Sequence, residues 1–467
     1  MYESMTSVLD FLYRCVWGLP LLLLVTGIGL YFTVVLKGIQ FRYLGYGLRL
    51  AFGKQKEDQG DGKIQGDISH FQSLMTALAA TIGIGNIAGV ATAIAAGGLG
   101  AIFWMWITAL IGMAVKYSEA ILAVKYRTLD SDGQMSGGPM YFIERGLGLK
   151  WLAVAFAIFG SIAALGGGNM LQANSVADVL RTVFTVDPVV TAIILAVLTA
   201  LCILGGIQSI GKVASLLVPF MAISYILGAS YILLSCYEQI PAALTSIFTY
   251  AFTGQAAFGG FLGSTVAISI QMGISRGLMT SEAGLGTASI AAASAKTDTP
   301  GRQALVSMTG SFLATIVMCS VTALVLAVTH AFGLIDADGK LLNGASMTVA
   351  AFNSVVSWGG YIVSIGLVLF AFTTLLGWAY YGEKCIKYIF GKRSVSLYRI
   401  VFILFVALGA ILELEIVWKV SDIFNGLMAF PNLIALLLLS KVVVAETKEF
   451  FSIVEQEKAV QLQAAAL

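Results

Sequence analysis

Long apolar stretches separated by short polar segments run along most of the chain. About eleven of them reach the length of about 20 residues that an α-helix needs to cross the hydrocarbon core of a bilayer. They lie near residues 15–36, 72–97, 101–124, 151–182, 189–208, 213–236, 262–292, 304–330, 356–386, 398–418 and 422–444. Since backbone polar groups in lipid must be hydrogen-bonded within the protein, this pattern predicts an all-α polytopic membrane protein.

Two of the predicted helices are interrupted by sequence rich in glycine. The uncharged stretch 73–107 contains Gly83, Gly85 and Asn86 near its middle, and a second such stretch covers 269–296. Glycine at this density weakens a helix, and broken helices in secondary transporters expose free N–H and C=O groups to substrate and coupling ion. Small residues also let helices pack closely, so packing is the alternative explanation for these glycines.

The placement of the two interruptions predicts an internal repeat. If the helix near 72–97 is the first of a core, the helix near 262–292 is the sixth and crosses the membrane in the opposite direction. Matching interruptions in corresponding helices are typical of inverted repeats in transporters. We therefore predict a five-plus-five inverted repeat with one extra N-terminal helix. The predicted units are 1–70 for this helix and a cytoplasmic linker, 71–236 for the first repeat, 237–444 for the second and 445–467 for a cytoplasmic tail.

Composition and charge agree with a membrane location and predict an orientation. The chain is 58% hydrophobic and 11% charged, whereas an ordinary soluble domain carries about 25% charged residues. All but four of the 27 Lys and Arg residues lie in segments on one side of the predicted helices. Because basic loops stay in the cytoplasm, we expect a multi-pass protein of the cell (inner or plasma) membrane, with its N-terminus outside and its C-terminus inside.

The same features argue against an enzyme. The two histidines, His70 and His330, fall at opposite membrane faces under this topology, which excludes a His-based triad or metal cluster. The five cysteines occur singly, without the spacing of a disulfide framework or a zinc site. Broken helices also occur in channels, but the sequence contains no filter-like carbonyl motif or ring-forming charge pattern. A carrier is therefore favoured over a channel.

Six ordered motifs along nearly the whole chain carry a family resemblance. They are ALAATIGIGNIAGVA from Ala77, GGPMYFIERGLG from Gly137, GNMLQANSVADVL from Gly168, GISRGLMTSEAGLGTASIAA from Gly273, FTTLLGWAYYGEK from Phe372 and PNLIALL from Pro431. Together they resemble the alanine or glycine:cation symporter family of the amino acid–polyamine–organocation superfamily. The resemblance implies a LeuT-type fold and sodium-coupled symport of small neutral amino acids, alanine or glycine, by alternating access. It implies no cofactor other than the coupling sodium ion, and no nucleic-acid or obligate protein partner.

The first interruption fits an amino-acid substrate. A zwitterion needs donors for its carboxylate, and unwound backbone at Gly83 and Gly85 beside the positive end of a half-helix supplies N–H groups. Carbonyls freed around 80–82 would accept from the ammonium. Thr81 adds a hydroxyl, although that hydroxyl can equally bond back to its own helix. Charged side chains, which are unfavourable at this depth, are not needed for either task.

The second interruption is expected to complete the pocket from the sixth core helix. There we predict unpaired carbonyls around 269–273 as further acceptors for the ammonium. Gly273 and Ile274 are accordingly predicted substrate-binding residues.

Amides of the third core helix and one tryptophan are further candidates. Asn169, Gln172 and Asn174 lie within six residues of an apolar segment, although buried amides often only join membrane helices. The resemblance favours Gln172 and Asn174 for substrate contact, with Trp378 of the eighth core helix closing the pocket. An interfacial belt position is the alternative for Trp378.

A threonine pair in the eighth core helix is the candidate for the coupling ion. Thr373 and Thr374 precede Gly377 in a pattern that resembles the hydroxyl ligands of the sodium site shared by this fold. Sodium is a hard cation and takes oxygen ligands, as calcium and magnesium do. Carbonyls of Ala79 and Ile82 would complete a neutral site. Back-bonding of both hydroxyls to their own helix is the alternative.

Proton coupling in the same fold is the main functional alternative. No carboxylate stands clearly at mid-membrane, where a proton relay is expected, and this favours sodium. Lys212, at the start of the fifth core helix, is the position where proton-coupled relatives of this fold can use a lysine, although it can also snorkel to the interface. Arg276 and Glu282 can be interpreted as an inner gate pair or as solvated charges.

Overall fold

The computed structural model describes residues 2–53, 65–130, 132–256, 263–335, 339, 341–412 and 415–465. Residues 54–64 of the predicted cytoplasmic linker lie outside the described residues. The described residues form α1 (Tyr2–Val16), α2 (Leu19–Val35), α3 (Ile39–Arg42), α4 (Leu44–Phe52), α5 (His70–Thr81), α6 (Ala88–Gly97), α7 (Gly100–Lys125), β1 (Thr128–Leu129), β2 (Met135–Ser136), α8 (Pro139–Leu147), α9 (Lys150–Leu165), α10 (Leu171–Phe184), α11 (Pro188–Ile203), α12 (Gly206–Ser235), α13 (Ile240–Thr253), α14 (Val266–Ser281), α15 (Thr287–Ala293), α16 (Pro300–Ser311), α17 (Ser320–Val328), α18 (Gly344–Asn353), α19 (Gly359–Phe390), α20 (Ser394–Ile411), α21 (Glu415–Leu438) and α22 (Ser440–Ala465).

The predicted all-α architecture is confirmed. In the described part of the chain, eight helical segments are long and apolar enough to cross a membrane, and α6 and α11 are shorter apolar helices. The count of eleven spans stays a prediction, as do the boundaries of the two repeats. Helices α1, α3, α4, α8, α13, α18 and α22 were not predicted. These helices are too short or too polar to appear as apolar runs of spanning length.

The first predicted interruption is confirmed as a break between α5 and α6. A capping box begins α5, with the Ser69 hydroxyl accepting from the Gln72 N–H and the Gln72 side chain accepting from the Ser69 N–H. The helix ends at Thr81, and Gly83 is extended. Asn86 then fixes the break: its Oδ1 accepts from the Gly83 N–H at 3.1 Å, and its Nδ2 donates to the Ala314 carbonyl at 2.9 Å.

The second predicted interruption, 269–296, is confirmed, but the break does not lie at 269–273, where unpaired carbonyls were expected. Helix α14 is continuous from Val266 to Ser281, so the backbone at 269–273 is helical. The chain opens instead at Glu282 (φ +53°), Gly284 (φ +92°) and Gly286 (φ +81°) before α15 begins. Left-handed backbone of this kind favours glycine.

Gly273 lies in continuous helix, where it allows close packing against α7. A Cβ on this residue would lie 2.5 Å from the Ala101 carbonyl oxygen of α7 and 2.5 Å from the Trp104 Cβ. The absence of a side chain therefore lets α14 lie directly against α7, as small residues do between membrane helices.

A charged hairpin follows α7 in sequence and contacts α19 through two lysines. Strands β1 and β2 pair antiparallel, and Asp130 in their turn accepts from Lys387 Nζ at 2.7 Å. The buried Lys384 donates to the Met135 carbonyl at 3.0 Å and the Ser136 hydroxyl at 2.9 Å, with Asp130 at 3.5 Å. Burial opposes ionisation of Asp130, but these lysines and backbone N–H groups outweigh it and lower its pKa to about 2.

Candidate substrate and ion site

A cavity of about 320 Å³ lies at the first break. Its wall comes from the α5–α6 break, the π-helical turn 166–170 between α9 and α10, α14 with the second break, α19 and α21. Among the predicted substrate and sodium residues, six line it: Thr81, Gly83, Gly85, Gln172, Thr374 and Trp378. Residues far apart in sequence are therefore brought together around one space. Their binding roles stay predictions.

The first break offers polar backbone to this cavity. The first N–H groups of a helix have no partner within the helix and carry its positive partial charge, and Gly85 and Ala88, at the start of α6, line the wall. The Thr81 hydroxyl donates to the Ala77 carbonyl of its own helix at 2.7 Å, the back-bonded alternative. Thr81 still lines the cavity through the rest of its side chain or its backbone.

Thr374 joins α19 to the end of α5. Its Oγ1 lies 3.1 Å from the Ala79 carbonyl oxygen and 2.9 Å from that of Phe370, so its proton is shared between the neighbouring helix and its own. A Cβ on Gly83 would come within 2.6 Å of the same Oγ1. The hydroxyl and the break thus meet at one point of the cavity wall, and the Ala79 carbonyl lies behind it in contact with the hydroxyl.

The two members of the threonine pair have different surroundings. The Thr373 hydroxyl donates to the Phe370 carbonyl at 3.0 Å, with the Met221 sulfur of α12 at 3.4 Å. Ala79, Ile82 and Thr373 are buried but do not line the cavity. Of the four predicted sodium ligands, the structure shows direct contact between Thr374 and Ala79.

Three predicted substrate residues lie away from the cavity. Asn174 Nδ2 donates to the carbonyls of Gly409 at 3.3 Å and Leu412 at 3.1 Å, and so ties α10 to the end of α20. Gly273 packs on α7, and Ile274 follows it in unbroken helix. The joining role that a buried amide often has in membranes therefore describes Asn174.

Trp378 closes one side of the cavity against the third core helix. It is 6% exposed and packs so closely on Gly168 that a Cβ there would collide with the indole. Its ring lies edge-on to Tyr381, with centroids 5.8 Å apart. Trp378 is therefore a buried residue of the cavity wall.

Sequence interpretation missed the contribution of α21. Trp418, Asp422 and Asn425 line the cavity, and their i, i+4, i+7 spacing places them on one helical face. Polar residues on one stripe of an apolar segment were the available signal. Arg276 of α14 also lines the cavity.

Several buried polar atoms at this site have no hydrogen-bond partner within the described part of the chain. They are Gln172 Oε1, Asn425 Oδ1 and Arg276 Nε. Buried polar groups are normally hydrogen-bonded, so the wall presents both acceptors and a donor to a polar occupant. A zwitterion has the matching ammonium and carboxylate.

The predicted gate pair is not formed. Among the described residues, Arg276 and Glu282 make no ion pair: Arg276 Nη1 lies 3.5 Å from the Met279 sulfur, and Glu282 Oε2 accepts from the Thr287 hydroxyl at 3.0 Å. Both residues line the cavity. They are therefore cavity charges in this conformation.

Over residues 2–464, the chain matches the model of the sodium:alanine symporter family. The chain belongs to this family. The family prediction from the six motifs is confirmed, and the protein is a transporter and not an enzyme. It is 55% identical over 449 residues to the sodium/alanine symporter AgcS of Methanococcus maripaludis, an alignment that covers 95% of this chain and 96% of AgcS.

Solved structures of distant proteins share the fold. MhsT in complex with L-phenylalanine superposes with a TM-score of 0.60 at 14% identity, over 82% of this chain and 93% of MhsT. A Na+-coupled sialic acid symporter superposes with a TM-score of 0.51 at 13% identity, over 85% of this chain and 82% of the symporter. The predicted LeuT-type fold is confirmed.

Proposed function

We propose that this protein is a sodium-coupled symporter for small neutral amino acids, alanine and glycine, that works by alternating access. The observation that carries the proposal is the close approach of Thr374 and Gly83 in the cavity wall, with the Ala79 carbonyl in contact with the Thr374 hydroxyl. This meeting joins candidate oxygen ligands for a cation to candidate donors for a carboxylate. The family and the identity to AgcS support both the ion and the substrate class.

The substrate would lie between the first break and the side chains opposite. Its carboxylate would face the N–H groups of 83–85, where the dipole of the following helix favours an anion. Gln172 Oε1 and Asn425 Oδ1, both without a partner among the described residues, would accept from the ammonium. Trp378 would limit the size of the side chain.

The sodium ion would bind where α5 meets α19. We assign its oxygen ligands to the Thr373 and Thr374 hydroxyls and the Ala79 and Ile82 carbonyls. A neutral set of this kind leaves the positive charge to the ion, which would attract the substrate carboxylate nearby. Binding of sodium and of amino acid would thus favour one another, and this reciprocity is the basis of symport.

Orientation and repeat boundaries complete the proposal. We place the N-terminus outside and the C-terminus in the cytoplasm, and assign 71–236 and 237–444 to the inverted repeats. Single cysteines at Asn343 and Asp132, in an otherwise cysteine-free protein, would lie on opposite faces. A membrane-impermeant maleimide added to intact cells should label the first and not the second, and the reverse result would invert the orientation.

Proton coupling is less well supported. Lys212 is exposed and does not line the cavity, which agrees with snorkelling to the interface. In proteoliposomes, we expect an inward sodium gradient to drive uphill accumulation of labelled alanine, and a proton gradient without sodium to drive none. Sodium-independent accumulation would overturn the proposal. Non-saturating flux without accumulation would indicate a channel.

A further inference from the structure

The second break forms part of the cavity wall although it holds no regular structure. Glu282 and Leu285 line the cavity, while Gly284 and Gly286 have positive φ angles. Backbone of this kind keeps one shape only if its polar groups find fixed partners. The groups that hydrogen-bond to this backbone therefore determine the shape of the cavity wall.

One carboxylate is the partner of two N–H groups of the break. Glu119 of α7 is fully buried, and its Oε1 accepts from the Gly284 N–H at 2.9 Å and the Gly286 N–H at 3.1 Å. The same oxygen accepts from Asn432 Nδ2 at 2.7 Å. Glu119 does not line the cavity itself, so it acts behind the wall.

Asn432 carries this contact to another helix. Its Nδ2 also donates to the Gly284 carbonyl at 2.8 Å. The N–H group and the carbonyl group of Gly284 are therefore both hydrogen-bonded to side chains. Asn432 belongs to α21, the helix that brings Trp418, Asp422 and Asn425 to the cavity. The break and α21 are thus fixed to each other through Glu119.

The contacts around Glu119 require a strong acceptor. Three N–H donors converge on one of its oxygens, and a carboxylate accepts such bonds more strongly than a neutral group does. Lys116, one turn earlier on α7, is also almost fully buried. A neutral side chain at 119 would accept the same N–H groups more weakly.

We propose that Glu119 is a positioning residue for the substrate cavity. It holds the second break so that Glu282 and Leu285 stay in the wall, and Asn432 couples this shape to α21. The inference rests on the proposed function for its substrate, but the hydrogen bonds it invokes are independent of which amino acid is carried.

The first test uses the unmodified full-length protein in detergent. Hydrogen exchange should show the amides of Gly284 and Gly286 protected, although they lie outside any helix. Exchange at the rate of an unstructured peptide would overturn the proposal. This measurement requires neither a mutant nor transport.

The second test compares Glu119→Gln with Ser118→Ala. Glu119→Gln keeps size and shape but removes the charge, and Ser118 is a buried neighbour whose hydroxyl donates only to the Ala114 carbonyl of its own helix. We expect Glu119→Gln to raise the KM for alanine about tenfold, the change typical of weakening a hydrogen bond to a charged group. The maximal rate should change much less, and amide exchange at 284–286 should become faster. Ser118→Ala should leave all three unchanged.

Asn432→Ala provides a second variant if Glu119→Gln folds poorly. It should also raise the KM for alanine and loosen the same amides. A folded Glu119→Gln or Asn432→Ala protein with unchanged KM would overturn the positioning role, even if its melting temperature fell. Failure of the proposed function looks different, because then the unmodified protein itself would show no sodium-driven alanine uptake.

Discussion

Gly83 and Thr374 approach each other so closely that position 83 has no room for a side chain. A Cβ on Gly83 would lie 2.6 Å from Thr374 Oγ1, and the same hydroxyl is 3.1 Å from the Ala79 carbonyl oxygen. The glycine is therefore required at this point for space, and its conformational freedom is secondary. Any side chain there would push the hydroxyl away from the carbonyl.

Gly83→Ala should therefore weaken sodium-dependent transport. We expect the sodium concentration for half-maximal alanine uptake to rise about tenfold, because displacement of the hydroxyl removes an interaction with a charged ion. Gly27→Ala in α2 is the control, since nothing lies within 4 Å of a Cβ at that position and Gly27 does not line the cavity. Equal effects of the two substitutions would show that the contact with Thr374 does not matter.

The two threonines should respond differently to loss of the hydroxyl. Thr374→Val removes a group that contacts Ala79, whereas Thr373→Val removes one that lies beside Met221. We expect the larger increase in the sodium requirement from Thr374→Val, with alanine affinity weakened at low sodium and recovered at high sodium because the two bindings are linked. Sodium titrations of alanine binding to purified protein measure both effects. Wild-type sodium dependence of Thr374→Val would rule out the assigned site.

Trp378 should determine the upper size of the substrate. In the unmodified protein, glycine and serine should compete with labelled alanine and leucine should compete poorly. Trp378→Ala opens the wall, and we expect leucine to compete at least about tenfold better, since each methylene accommodated in a pocket is worth about 1–3 kcal/mol. Trp151, which is 69% exposed, provides the control substitution Trp151→Ala. Continued exclusion of leucine by Trp378→Ala would place the size limit elsewhere.

The buried Lys384 should stabilise the protein through its contacts with the charged hairpin. Lys384→Met leaves the Met135 carbonyl and the Ser136 hydroxyl without the buried ammonium, whereas Asp130 keeps its contact with Lys387. Loss of a partner for buried polar groups of this kind should lower the free energy of unfolding by about 1–3 kcal/mol. Lys392 pairs with Asp132 at the surface, with 63% of its side chain exposed. Lys392→Met should therefore change the free energy of unfolding by only about 0–1 kcal/mol. Thermal unfolding in detergent compares the two, and similar melting temperatures would contradict this assignment.

The sequence alone was sufficient for the class of protein, the family and the first break. Apolar length determines which segments can enter a bilayer, and this property is local to each segment. The first break was also predictable, because Gly83 and Gly85 lie close together in an uncharged segment beside Asn86, whose side chain can hold an opened backbone. Local chemistry was enough in these cases.

The tertiary structure decided the second break and the wall opposite. Gly273 and Gly284 are the same residue type eleven positions apart, yet one allows contact with α7 and the other turns the chain at a positive φ. The two glycines differ in the residues that pack against them. Glu119, which accepts a hydrogen bond from the Gly284 N–H, is 165 residues away in sequence. Hydrogen bonds and close packing between distant segments depend on how the helices pack, and no local pattern of residues contains that information.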